Sequence, residues 1–125
     1  MEIVSNEPID PSKVYELIAK ECSGSIVLHF AAVRPKTQGK TTSSIEYCAD
    51  GDVAGELREI SRDIRDKWKV EDVLIARRIG KLNVGDIISL VAVSAAHRQD
   101  GFEGCRCGVE RLKKMSTIVK KETFA

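Results

Sequence analysis

Asp86-Ile-Ile-Ser-Leu-Val-Ala-Val-Ser-Ala-Ala-His97-Arg98 is the stretch on which the fold turns. Ile87, Val91 and Val93 alternate with Ile88, Leu90 and Ala92, so neither face of an extended chain would be polar. A strand apolar on both faces is covered on both, and the run predicts a central strand. It stops abruptly at His97-Arg98. A titratable ring and a fixed cation therefore stand at a strand rim, where side chains are held rigidly and still meet water. Buried strands commonly surface in polar residues, and the pair alone does not separate that explanation from a binding site.

Downstream of Asp100-Gly101, Phe102, Cys105, Val109 and Leu112 recur at three- and four-residue spacing, which predicts one apolar face of a helix. At about 100° per residue, Lys113 falls beside Val109 on the border of that stripe, whereas Lys114 points away into solvent. A border lysine ordinarily snorkels along apolar surface. Partly desolvated, it would instead serve proton transfer. Lys120 follows on a short β-like run, Thr117-Ile118-Val119. Strand rim, helix flank and returning strand thus each offer a cation to one pocket.

At 125 residues the chain reads as one domain, residues 1–125, large enough to bury a substantial core. Its formal net charge of +1 argues for neither nucleic acid nor an anionic membrane as partner. The basic excess around Arg111, Lys113, Lys114, Lys120 and Lys121 is either a solvated face or a pocket for an anionic small molecule. The N-terminal Met-Glu-Ile-Val-Ser lacks the basic and apolar regions of a leader, and no run reaches membrane-spanning length, so a cytoplasmic location is expected. Cys22, Cys48, Cys105 and Cys107 lack metal-site spacing, and Cys105 reads as a buried free thiol. No metal and no cofactor are expected.

Upstream, Glu2 to Asn6 suits an edge strand. Asp10-Pro11 is a helix start, with Val14, Leu17, Ile18 and Cys22 as its buried stripe and Gly24 placed to end it. Ser25 to Val33 is a second strand, with His29 read as a packed or hydrogen-bonded strand histidine, and Arg34 closes it. Pro35 to Thr42 reads as a mobile loop and Ser44 to Cys48 as a strand. Asp50-Gly51-Asp52 leads into a helix with Val53, Leu57, Ile60, Ile64 and Trp68 on one side, and with Asp63 and Lys67 spaced for an ion pair. Asp72 to Ile79 is a further strand, and Gly80 to Gly85 a turn into the central one. Strands and helices mix without a regular βαβ series, which predicts an α+β fold. No phosphate loop, dinucleotide fingerprint or nucleophile elbow is present.

Arg78-Ile-Gly-Lys-Leu-Asn-Val-Gly-Asp86, running into Ala96-His97-Arg98 and Phe102-Glu103, carries a family resemblance. Gly24-Ser-Ile-Val-Leu-His-Phe-Ala-Ala-Val-Arg34, Ile45-Glu-Tyr47, and Lys113 followed by Val119-Lys-Lys-Glu122 support it, in matching order along nearly the whole chain. The chain resembles the large, catalytic subunit of molybdopterin synthase. The resemblance implies an α/β hammerhead fold, with a mixed or antiparallel sheet and packed helices, and a homodimer that forms a heterotetramer with a small ubiquitin-like sulfur-carrier subunit. The carrier's C-terminal Gly-Gly thiocarboxylate would enter a pocket and give up its sulfur, in two rounds, to cyclic pyranopterin monophosphate, forming the molybdopterin dithiolene. By the same resemblance Arg34, His97 and Arg98 would bind the substrate, Lys113 would be the principal catalytic residue and Lys120 would assist it. No metal is implied for sulfur insertion.

Thr117-Ile118-Val119 stands where the family usually has an aromatic and proline-containing stretch, and Cys48-Ala-Asp50 replaces an acidic-aromatic motif. Typical members also continue past the point where this sequence stops, at Ala125, with a tail that helps complete the pocket and its partner contacts. The competing expectation is a shortened, non-catalytic relative that binds a pterin phosphate or the carrier as a dimeric module.

Overall fold

The computed structural model describes all 125 residues. Its eight strands are β1 (Glu2–Ser5), β2 (Ser25–Ala32), β3 (Lys36–Thr37), β4 (Lys40–Ala49), β5 (Asp72–Arg78), β6 (Gly80–Asn83), β7 (Ile87–Ala95) and β8 (Ile118–Phe124). The helices are α1 (Val14–Ile18), α2 (Val53–Lys67) and α3 (Arg98–Lys113). The main sheet has the order β1-β5-β7-β2, and the second joins β3, β4 and β6, with β8 also paired to β4. Only the β1–β5 pairing is parallel; the rest are antiparallel, so the fold is α+β as expected.

β7 lies between β5 and β2, the interior place its two apolar faces demand. Val91 and Val93 join Val73 and Ile75 of β5 against Leu57, Ile60 and Ile64 of α2 and Cys105 and Leu112 of α3. On the other face Leu90 and Ala92 join Leu74 and Ala76 against Val14 and Ile18 of α1. Asp52 begins α2 by accepting from the Gly55 amide, which satisfies one of the helix's orphan donors. Val33, Ile45, Tyr47 and Leu82 form a smaller cluster belonging to the second sheet.

Several sequence expectations need correction. The N-terminal helix is a single 3₁₀ turn at Pro11–Lys13 followed by α1, which ends at Ile18, well before Cys22. Ala19 turns extended, and the Ser23 hydroxyl accepts from the Lys20 amide, so a polar turn replaces the last helical turns and leaves Leu17 and Cys22 exposed. The segment from Pro35 to Thr42 is a hairpin. Gln38 and Gly39 both adopt positive φ, the geometry that matches a two-residue turn to the twist of its strands. Residues 80–83, read as turn, form β6, and the C-terminal strand begins at Ile118, after Thr117, and runs on past Val119 to Phe124. Asp63 pairs with Arg111 of α3 instead of Lys67.

α3 starts at Arg98, with His97 at its cap, so Asp100-Gly101 lies inside the helix. Its buried face is Gly101, Gly104, Cys105, Gly108 and Leu112, while Phe102 is 55% exposed. Glycine here allows close approach. A Cβ at Gly101 would stand 3.2 Å from the Ser25 hydroxyl and 3.3 Å from a Val27 methyl. The helix therefore lies low on the sheet and is rotated from the orientation that Phe102 suggests.

Candidate active site

The C-terminal end of α3, the end of β2 and the second sheet enclose a cleft of about 480 Å³. Arg34 reaches it from the segment after β2, Lys113 from the last residue of α3, and Lys120 from β8. Lys113 and Lys120, expected at one pocket from their spacing, share the cleft with Arg34, which the family resemblance adds. Lys113 shares the cleft with Val109, one helical turn earlier, whereas Lys114 is outside it. Lys113 is exposed, which fits the snorkelling border lysine and not its partly desolvated alternative. Its place at the end of α3 sets a cation against the negative pole of the helix.

His97 and Arg98 do not line this cleft. They stand exposed at the far end of β7, whose other end contributes Ile88 and Ser89 to the lining. At about 3.3 Å per residue, roughly 25 Å of strand separates Ser89 from His97. α3 then carries the chain back by a similar length, about 1.5 Å per residue. One pocket holding all five residues is therefore not formed within a single chain. The strand and helix, similar in length, put the two cation groups at opposite ends of one layer.

Among the lining residues absent from the sequence-based site are His29, Tyr47, Arg77 and Ser89. His29 is exposed there because β2 is an edge strand, which corrects its reading as a packed residue. Tyr47 lies beneath Arg77, with the guanidinium carbon 4.4 Å from the ring centroid. No sequence signal singles out Arg77: it follows Val73 and Ile75 on one face of β5 as Arg78 follows Leu74 and Ala76 on the other, and both rows are core-facing.

The lining of the cleft is cationic. Arg34, Arg77, Lys113 and Lys120 line it, and no aspartate or glutamate does. Just outside, Glu122 accepts from the Thr42 hydroxyl at 2.6 Å and lies 3.4 Å from Lys120, and these contacts hold its carboxyl below the usual range. It anchors the β8 lysine without entering the lining. Ten of the 17 lining residues are hydrophobic, a wall suited to a flat ring system. Cys105 is buried under α3 outside the cleft, with its thiol pushed up to about 11 by burial, so it is no ready sulfur nucleophile. All four cysteines are free, no cluster of three metal-ligating side chains occurs, and no helix is long and apolar enough to cross a membrane.

An α+β fold of two sheets and packed helices, with an apolar-walled, cation-lined cleft at one end, defines the class. The chain belongs to the MoaE protein family, whose match runs over residues 4–115. It is 37% identical over 117 residues to the molybdopterin synthase catalytic subunit of a Nostoc species, covering 92% of this chain and 71% of that one. It is also 37% identical over 124 residues to the Staphylococcus aureus protein of the same name, covering 98% and 83%. A crystal structure of molybdopterin synthase from Staphylococcus aureus superposes with a TM-score of 0.90 at 33% identity, covering 98% of this chain and 90% of that one. A Helicobacter pylori chain, from a complex of subunits 1 and 2 of molybdopterin-converting factor, shares the fold with a TM-score of 0.76 at 15% identity, covering 99% and 89%. The expected molybdopterin-synthase fold is thus the one the chain adopts.

Proposed function

We propose that this chain is the sulfur-inserting subunit of a molybdopterin synthase, acting on cyclic pyranopterin monophosphate with a thiocarboxylated small carrier subunit as sulfur donor. The observation that carries the reading is the cleft itself, four cations and no carboxylate around an apolar wall. Guanidinium groups grip phosphate oxygens in a fixed fork, which suits Arg34 to the substrate's phosphate. The apolar lining suits the pterin. Thiocarboxylate chemistry develops negative charge on sulfur and oxygen, and an ammonium at the cleft mouth stabilises that charge or supplies a proton. Lys113 has this role, with Lys120 beside the arriving carrier tail.

His97 and Arg98 fit the same site only from a second copy. In a two-fold homodimer, one chain's far end meets its partner's cleft, and the contact occurs twice by symmetry. Each site would then combine Arg34, Lys113 and Lys120 of one chain with His97 and Arg98 from the other. A carrier bound at each cleft makes a heterotetramer.

The test is reconstitution. The purified chain is mixed with thiocarboxylated carrier and cyclic pyranopterin monophosphate, and molybdopterin is assayed. Product formation dependent on all three components is expected. Precursor binding without any product would overturn the enzyme reading and leave a binding module.

A further inference from the structure

β5 carries an arginine where its pattern leads toward another core aliphatic. Val73 and Ile75 enter the core beneath α2 and α3, and Arg77 is next on that face. Its partner on β7 is Ser89, next in the row of Val93 and Val91. Both Arg77 and Ser89 line the cleft.

Arg77 is only 8% exposed. Its Nε is buried without a hydrogen-bond partner, and no carboxylate forms an ion pair with it. Burial lowers its pKa, with Tyr47 opposing the shift, but an arginine stays charged at neutral pH. Arg78 is equally buried and its Nε is also unpaired, so burial alone does not single out Arg77. The difference is position: Arg78 donates from Nη2 to the Lys81 carbonyl and lies outside the cleft, whereas Arg77 lines it.

A buried cation is costly unless an anion and hydrogen bonds compensate it. A desolvated cation–π contact supplies about 2 kcal/mol, less than such a charge requires. We infer that Arg77, with the Ser89 hydroxyl beside it, binds the substrate's phosphate on the floor of the cleft. This rests on the reading of the cleft as a pyranopterin phosphate site. The Tyr47 ring restrains the guanidinium, so less rotamer freedom is lost when phosphate arrives. The thiocarboxylate has to reach the exposed Lys113 and Lys120, which leaves the enclosed floor to the phosphate.

Arg77→Met and Arg77→Lys test it on the full chain, without carrier or turnover. Sulfur transfer can therefore fail while phosphate binding stands, and the reverse. Inorganic phosphate is expected to raise the thermal midpoint of the wild type and to raise that of Arg77→Met clearly less, since Arg34 remains in the cleft. Without ligand, Arg77→Met is expected to melt no lower than the wild type, because an unpaired buried charge has been replaced by an apolar side chain. Calorimetry with cyclic pyranopterin monophosphate should show about tenfold weaker binding or worse, the loss of one charge-assisted contact. If the methionine variant does not fold, Arg77→Lys decides: several-fold weaker phosphate affinity is expected, because one ammonium cannot reproduce the fork. Phosphate protection equal to that of the wild type in the variant that folds, or absent from the wild type itself, would overturn the assignment. Thioacetate serves as a small thiocarboxylate. If Arg77→Met loses protection by thioacetate but keeps that by phosphate, the floor belongs to the carrier tail and the phosphate assignment is overturned.

Discussion

Gly108 of α3 lies directly over Val91 of β7, so close that a Cβ on the glycine would stand 2.8 Å from a valine methyl. That contact sets the height of the helix above the sheet and so the position of Lys113 at its end. Gly108→Ala gains roughly 1 kcal/mol of helix propensity. Against that gain it forces a methyl group into two core side chains, Val91 and Ile64, and overpacking typically costs about 1–3 kcal/mol. A net loss of stability is expected. Gly104→Ala meets nothing nearer than 3.2 Å and should be closer to neutral. Urea unfolding of the two variants checks the contrast; equal stabilisation of both would show that the helix has room to spare.

Glu56 of α2 ties that helix to the chain entering β8. Its carboxylate accepts from the Ser116 and Thr117 amides, each at 3.1 Å, and from the Thr117 hydroxyl at 2.6 Å. Burial alone would raise its pKa, but these hydrogen bonds outweigh it and the net shift is downward. A lowered folded value means that the stabilisation is fully present above the unfolded glutamate value of about 4.3 and is lost as pH falls through the folded one. Glu56→Gln should therefore cost stability at neutral pH, on the order of 1 kcal/mol. It should also flatten the acid limb of the stability curve. An acid limb identical to that of the wild type would remove Glu56 from this role.

What could be read from the chain follows from which residues have only one use. Ile87 to Ala95 had no polar face to present, so its central place was legible. Glycine has two uses, and that is where the reading failed. Asp100-Gly101 reads as the link before the helix, yet Gly101 is a close-approach residue within it, which hid the first turn of α3 and misplaced its buried face. The cations at element ends were visible as candidates. Spacing does not reveal which ends of antiparallel elements meet, so it sets His97 and Arg98 beside Lys113 and Lys120, which one chain holds apart. Arg77 was concealed within a strand whose faces become known only once its partners are.

The separation of the two cation groups makes a prediction about assembly. If His97 and Arg98 serve the partner's cleft, Lys113→Ala and Arg98→Ala chains should complement one another. A mixed dimer would have one intact site and one doubly impaired site. Random reassortment of equal amounts should restore about a quarter of wild-type activity, since half the dimers are mixed and each has half its sites. No recovery after verified subunit exchange would place Arg98 in its own chain's site or in none.

Lys113 and Lys114 are adjacent, both exposed and equally charged, yet only Lys113 lines the cleft. The most direct measurement is turnover of each alanine variant with thiocarboxylated carrier and cyclic pyranopterin monophosphate, alongside precursor affinity. Lys113→Ala should lower turnover by orders of magnitude with little change in precursor binding, because it removes an interaction made as charge develops during sulfur transfer. Lys114→Ala should turn over like the wild type. Equal losses in the two variants, or normal turnover without Lys113, would contradict the assignment of this cleft as the site of sulfur insertion.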